Sequence, residues 1–220
     1  MHTLDRLLPS VTDQAAPLVT YYGPGGERVE LSATTMANWV AKTSNLLVDD
    51  LEADPDARIR LALPTHWQRC VWLLSAWNVG ATVVDHDATI AVTGPDLDAD
   101  EPVRLATALR PLGGPFADSP AGFLDLALEV PGQGDHFVGL EPPQPDTAAL
   151  DLGGAVRSHA DLLAGADPDD RRVLVSPGDV ARDAEVLVAV CLGGGAVVID
   201  ATGDPGAAND IARQEGAVSR

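Results

Sequence analysis

The chain has 220 residues, and 33 acidic against 14 basic residues give it a formal net charge of −19. Such an acidic surface repels nucleic acid and anionic membranes, so we expect neither as a partner, and the acidity favours solubility over an acidic docking surface. No apolar run reaches membrane-spanning length and the N-terminus has no signal-peptide layout, which predicts a cytoplasmic protein. Cys70 and Cys191 lie in apolar stretches without a cysteine framework, which indicates buried, reduced thiols.

Hydrophobic periodicity and turn residues predict the elements that precede residue 58. A helix over residues 3–14 begins at Thr3, and a turn rich in glycine joins two strands into a hairpin. Ser32 is a suitable cap for the helix that follows. The strands are expected at residues 18–22 and 28–31, with the turn between them at residues 23–26. The long helix is expected at residues 32–51.

Two stretches repeat one order of elements: strand, proline, apolar helix, glycine and strand. The first covers residues 58–87, with Pro64 after its first strand, and the second covers residues 171–200, with Pro177 at the same point. Their strands are uniformly apolar, which predicts parallel strands that are covered on both faces and joined by right-handed crossovers. The fold class expected is α/β, with two similar βαβ-based lobes, mainly parallel sheets and helices on both faces.

The remaining segments are less regular. Proline, glycine and acidic residues make 131–146 the best linker candidate, so we place a first lobe at residues 1–145 and a second, incomplete lobe at residues 146–220. The other elements expected are a strand over 89–93, a helix near 103–109, an element of either type over 123–130, a strand over 146–152, a helix that begins at Ser158 and a final helix over 204–214.

Taken in order, these segments resemble the N-terminal portion of the acyl-adenylate-forming (AMP-binding) enzymes, the group of acyl-CoA synthetases and luciferases. The resemblance is carried by the hairpin and helix over 18–47, by the two βαβ stretches, and by AVRSHADLLAGA at 155–166, which is similar to the family's Gly-Val-x-x-(Thr/Ser)-His-x-x-Leu helix start. The chain also resembles a short actinobacterial family with distant similarity to these enzymes. The resemblance implies a truncated relative with the fold of their N-terminal domain.

The chain departs from these enzymes at the loop that holds the ATP phosphates. In the relatives this loop is rich in Ser, Thr and Gly and ends in Pro-Lys-Gly, whereas this chain has only Asp151-Leu-Gly-Gly154 at that position. A phosphate cradle needs several converging N–H groups and usually a basic side chain. We therefore expect neither ATP nor AMP as a cofactor, and the resemblance implies that Gly153, Gly154, Ser158 and His159 are a remnant of the nucleotide cleft.

The resemblance also implies that the family's adenine, magnesium and ribose motifs and its catalytic lysine domain lie outside this chain. Lys42, in an N-terminal helix, cannot replace that lysine. We predict a non-catalytic binding or interaction module, and apolar surface left by truncation predicts self-association or a protein partner. The alternative is an acyl- or nucleotide-handling enzyme of the adenylate-forming ligase type that another chain completes, and a third possibility is a purely structural subunit.

Other motifs have simpler structural explanations, so no catalytic residue and no metal site is assigned. Residues 85–87, Asp-His-Asp, follow a strand whose side chains alternate between faces, which favours loop polarity over a metal site. Ser158 beside His159 is better explained as a helix cap than as a nucleophile with its base. His66 is expected at the exposed start of a helix. Residues 193–195, three glycines, follow a helix instead of preceding one, which argues against a dinucleotide-binding turn.

Overall fold

The computed structural model describes residues 2–11, 13–139 and 141–219, which form two β-sheets with helices packed on them. The five strands of sheet A are β1 (Pro17–Tyr22), β2 (Arg28–Ser32), β10 (Arg172–Val175), β11 (Ala196–Asp200) and β12 (Val218–Ser219). Their order across the sheet is β12-β10-β11-β1-β2, and all neighbours are parallel except the β1–β2 hairpin.

Sheet B has seven strands in the order β7-β6-β5-β3-β4-β8-β9. They are β3 (Arg58–Ala62), β4 (Thr82–Val84), β5 (Ile90–Thr93), β6 (Val103–Ala106), β7 (Leu124–Asp125), β8 (Ala148–Leu152) and β9 (Ala155–Ser158). The strands are parallel except for the pair β8–β9, so the mainly parallel sheets expected from the sequence are confirmed.

Seven α-helices lie among the described residues. They are α1 (Leu7–Ser10), α2 (Ala33–Asn45), α3 (Trp67–Val79), α4 (Leu126–Glu129), α5 (His159–Gly165), α6 (Val180–Gly193) and α7 (Ala207–Glu215). A π-helical turn over Leu46–Asp50 extends α2, and a 3-10 turn over Leu4–Arg6 precedes α1. None of the helices in the described part of the chain is long and apolar enough to span a lipid bilayer.

The two repeated stretches are both βαβ units, as predicted. In sheet B the unit is β3-α3-β4, and in sheet A it is β10-α6-β11, with parallel strands in each. Gly80 and Gly194 end the two helices with φ of 81° and 82°, a left-handed conformation that glycine adopts without a steric penalty. The same local sequence chemistry therefore produces both units.

Helix α3 lies between the sheets, because it contacts β1 of sheet A as well as β3 and β4 of sheet B. Its Trp67 and Trp77 are fully buried, and the indole N–H of Trp77 donates to the carbonyl oxygen of Ala149 over 3.2 Å. On the outer face of sheet A, Ile211 of α7 packs on Leu174 and Val198. The buried apolar side chains of both units thus form one large core, which is typical of layered α/β folds.

A buried ion pair joins the two βαβ units where β3 and β10 end. A guanidinium N–H of Arg69 donates to a carboxylate oxygen of Asp183, and the Thr65 hydroxyl lies 3.0 Å from the same oxygen. Arg69 also donates to the carbonyl oxygens of Leu63 (3.0 Å) and Gly178 (2.9 Å). The two side chains are only 6% and 7% exposed, so the ion pair is a desolvated contact between the two βαβ units.

Some predicted elements need correction. The helix expected near 103–109 is wrong, because Val103–Ala106 pairs in parallel with β5 as strand β6. Residues 123–130 contain both element types, β7 and then α4. The N-terminal helix is shorter than expected and begins at Thr3 without a side-chain cap. Strand β9 follows β8 directly and was not predicted.

The sheets do not divide the chain at residue 145, where the boundary between the lobes was placed. Sheet A takes β1 and β2 from the first part and the other three strands from residues 172–219, and β8 and β9 of sheet B lie beyond residue 145. The segment over 131–146 also packs on α2, since Lys42 Nζ donates to the Pro131 carbonyl oxygen and Asn45 Nδ2 to that of Gly134. This segment is therefore anchored along a helix.

Candidate functional site

Residues 153–154, where the resemblance places the relatives' phosphate loop, form a two-residue hairpin turn. Leu152 pairs with Ala155, and Gly153 and Gly154 connect them with φ of 59° and 77°. Positive φ at both central residues is the geometry of a type I′ turn, which glycine permits and which matches the twist of antiparallel strands. The two glycines thus form a tight turn between β8 and β9 at the edge of sheet B.

The Asp85 carboxylate binds the backbone of this turn. The N–H of Gly153 donates to Asp85 Oδ2 over 2.7 Å, and Asp85 Oδ1 lies 2.7 Å from Nδ1 of His86. The hydrogen bonds from His86 and Gly153 lower the pKa of Asp85, and its carboxylate raises the pKa of His86. The turn's amide therefore already has an anionic partner supplied by the protein.

A second carboxylate lies beside the first. Asp151, in β8, is aligned with Val84 of β4, the residue before Asp85. Arg58 Nη2 donates to Asp151 Oδ2 over 3.0 Å, and His86 Nε2 lies 3.5 Å from the same oxygen. This hairpin cluster, Arg58, Asp85, His86, Asp151 and Gly153, contains two carboxylates that are already bonded, one to Arg58 and one to His86 and the Gly153 N–H.

The Asp-His-Asp stretch contributes two members to the hairpin cluster and one backbone contact. Asp87 has a left-handed φ of 49°, and its carbonyl oxygen accepts from Nε of Arg58 over 3.1 Å. In the described part of the chain, no group of three or more His, Cys, Asp or Glu side chains is arranged to hold a metal ion. The polar groups of residues 85–87 therefore bond to Arg58 and Gly153 of the same chain.

Ser158 and His159 lie at the opposite end of β9 from the glycines, about 13 Å along the strand at the usual rise per residue. Ser158 caps α5: its Oγ accepts from the N–H of Asp161, whose carboxylate accepts from the Ser158 N–H. This is a capping box, the arrangement that stabilises a helix start. The four residues predicted as a cleft remnant therefore lie in two separate places.

The His159 side chain is buried, and its hydrogen-bond partner differs from that of the Ser158 hydroxyl. Its Nδ1 accepts from the N–H of Leu4 over 3.0 Å, and its buried Nε2 has no hydrogen-bond partner among the residues that the structure describes. Burial lowers the pKa of His159 to about 4, so the ring is neutral at pH 7. Ser158 and His159 do not form a nucleophile and base.

His66 was expected to be exposed, and this is wrong. It is 1% exposed, its ring contacts Tyr21 edge to face at 4.4 Å, and its Nδ1 accepts from the N–H of Gln68. Burial lowers the pKa of His66 to about 4. It is the N-cap of α3, and the apolar packing around that cap explains why the ring is buried.

Comparison with known proteins identifies the family. No protein-family model matches the chain. A Mycobacterium tuberculosis protein described as a TIGR03089 family protein is 36% identical over 219 residues, which cover 92% of this chain and 89% of that protein. The chain belongs to this family. Membership of this family does not assign an activity to the chain, because the description of the relative names none.

Solved structures share the fold at low sequence identity. An acyl-CoA synthetase from Brucella canis matches 98% of this chain with a TM-score of 0.79 and 14% identity, and acetoacetyl-CoA synthetase from Streptomyces lividans matches 98% with 0.77 and 18%. The N-terminal domain of FACL13 from M. tuberculosis matches 99% with 0.70 and 14%. The chain spans 46% and 41% of the first two enzymes. The fold expected from the resemblance is thereby confirmed.

Proposed function

We propose that this TIGR03089 family member is a non-adenylating binding or interaction module built on the acyl-CoA synthetase fold. The observation that carries the proposal is the hydrogen bond from the Gly153 N–H to the Asp85 carboxylate at the tip of the β8–β9 hairpin. A backbone donor that a triphosphate would need is occupied by an anion of the protein itself. A phosphate that displaced the Asp85 carboxylate would only replace one anion by another, so charge complementarity at the Gly153 N–H would not improve.

The charges around the hairpin support the same proposal. Arg58 is the permanent cation of the hairpin cluster and pairs with Asp151, and the His86 ring, which is charged only when protonated, lies against Asp85. A phosphate placed at Gly153 would face both carboxylates at short range, where like charges repel strongly. The residues at the hairpin therefore do not fit ATP or AMP.

We propose a protein partner or a second copy of the chain as what this module binds. Strand β9 is an edge of sheet B, and Val156 on it is 62% exposed. An edge strand offers unpaired backbone groups that another strand can complete. Size-exclusion chromatography with light scattering tests self-association, and co-purification of one stoichiometric polypeptide tests a different partner. A cytoplasmic location is part of the proposal, since Cys70 and Cys191 are both free and buried.

Two assays test the absence of adenylation. Calorimetric titration with MgATP and with AMP is expected to show no saturable binding, and pyrophosphate exchange over a panel of carboxylic acids is expected to equal the blank without protein. An active acyl-CoA synthetase is the positive control for both. Micromolar affinity for either nucleotide, or exchange above the blank with any acid, would refute the proposal. Exchange that appears only after cell extract is added would favour the alternative of an enzyme completed by another chain.

A further inference from the structure

A cavity of about 490 Å³ that opens widely to solvent lies at the edge of sheet B away from the hairpin. It is formed by residues 50–52 after α2, by residues 102–104 at the start of β6 and by residues 122–124 at the start of β7. This volume falls within the range of small-molecule sites in proteins. The cavity shares no residue with the hairpin cluster, so its occupant is a separate question from nucleotide binding.

Arg104 is the unusual side chain of this cavity. Its guanidinium carbon lies 5.4 Å from the centre of the Phe123 ring, a cation–π distance. Its buried Nε has no hydrogen-bond partner within the described ranges 2–11, 13–139 and 141–219. A Cβ at position 122 would lie 3.3 Å from Nη2 of Arg104, so Gly122 leaves room beside the guanidinium. The Phe123 ring therefore packs on the guanidinium, whose N–H groups donate to no carboxylate in the described part of the chain.

The neighbouring arginines on the same sheet, unlike Arg104, each pair with a carboxylate. Arg60 and Arg104 are aligned across β5 through Ala91, and so project from the same face. Arg60 donates to both carboxylate oxygens of Glu101, and Arg58 pairs with Asp151. No ion pair with Arg104 forms among the residues that the structure describes. The missing ion pair is notable in a chain with a net charge of −19, where acidic residues outnumber basic ones.

The rest of the lining indicates the chemistry of an occupant. The planar guanidinium matches a carboxylate in a two-point contact. Leu51, Leu124 and the Phe123 ring offer apolar contact, while Asp50 and Glu52 add negative charge to the lining. These acids disfavour a simple anion and favour a ligand that also carries an ammonium group. We propose that the cavity binds a small zwitterion with an apolar side chain, of the α-amino acid class.

The experiment is a titration of the ¹⁵N-labelled full chain with three matched probes, followed by amide chemical shifts. The probes are L-phenylalanine, 3-phenylpropanoate, which lacks the ammonium group, and phenethylamine, which lacks the carboxylate. Saturable shifts centred on residues 50–52, 102–104 and 122–124 are expected with phenylalanine, and at least tenfold weaker affinity with each analogue. No saturable shift with phenylalanine overturns the proposal. Equal or tighter binding of either analogue also overturns it, because one charged contact would then be irrelevant.

Variants test the role assigned to Arg104. Arg104→Gln is expected to weaken phenylalanine affinity at least tenfold, and Arg104→Lys to weaken it less because the charge is kept. Arg110→Gln is the matched control, since Arg110 is exposed and does not line the cavity. Unchanged affinity in Arg104→Gln would overturn the proposal. The analogue series on the unmodified chain gives an answer even if a variant misfolds, and a negative result here leaves the proposal about the hairpin untouched.

Discussion

Replacing Asp183 by leucine removes the counter-ion of a buried arginine. The Arg69 side chain is only 6% exposed, so its charge would remain desolvated next to Thr65, which would also lose its carboxylate partner. Breaking a buried ion pair from one side costs about 3–5 kcal/mol, because the remaining charge has no compensation. We expect Asp183→Leu to lower the free energy of unfolding by that amount, and Arg69→Met to have an effect of similar size.

The double variant Arg69→Met/Asp183→Leu separates this mechanism from simple loss of packing. With both charges removed, the penalty for an isolated charge disappears, although the carbonyl oxygens of Leu63 and Gly178 still lose a donor. The double variant should therefore cost much less than the sum of the two single variants, with a coupling energy of about 2 kcal/mol or more.

Urea unfolding at pH 7, followed by fluorescence of the buried Trp67 and Trp77, measures these differences. The pair Asp210–Arg213 provides a control, because its side chains are 74% and 78% exposed. Asp210→Ala should change stability by less than about 1 kcal/mol. A cost below about 1 kcal/mol for Asp183→Leu, or strict additivity of the two single variants, would refute the reasoning about a desolvated charge.

Two further predictions concern pH and the last helix. Because burial lowers the pKa values of His66 and His159 to about 4, the unfolded chain binds protons at these rings before the folded chain does, and stability should fall as the pH drops from 6.5 to 4. The loss is up to about 3 kcal/mol per histidine; imidazole NMR titration that gives ordinary pKa values would contradict it. Glu215 accepts from Arg28 (3.0 Å) and Arg172 (2.5 Å), so Glu215→Gln should destabilise α7 by about 1–2 kcal/mol. Hydrogen exchange of the α7 amides should quicken, and unchanged protection would show that the ion pairs do not hold the helix.

Local chemistry explains why the sequence predicts the two βαβ units well. An apolar strand, a capped apolar helix and a glycine at the helix end are short-range signals, and they recur around α3 and α6. Strand β6 was misassigned because Val103–Ala106 is only four residues long, and its conformation depends on pairing with β5. Short segments like this are decided by tertiary context more than by their own pattern.

The hairpin cluster could not be predicted in the same way. Asp85 and Gly153 are 68 residues apart, and they meet only because β4 and β8 are neighbours in sheet B. The resemblance implied that the phosphate loop is missing, whereas nothing in the sequence indicated which carboxylate accepts from the turn's amide. The two glycines between the stretches AALDL and AVRS do carry a hairpin signal, which would have revealed β9.

The most direct test of the account follows the amides of Gly153 and Gly154 in the ¹⁵N-labelled chain while MgATP is added to millimolar concentration. Because the Asp85 carboxylate already accepts from the Gly153 N–H, both amide signals are predicted to stay in place within the small changes that ionic strength causes. A saturable shift of the Gly153 signal, reduced by competition with AMP, would show that a nucleotide displaces Asp85. That result would contradict the claim that this hairpin does not hold phosphate.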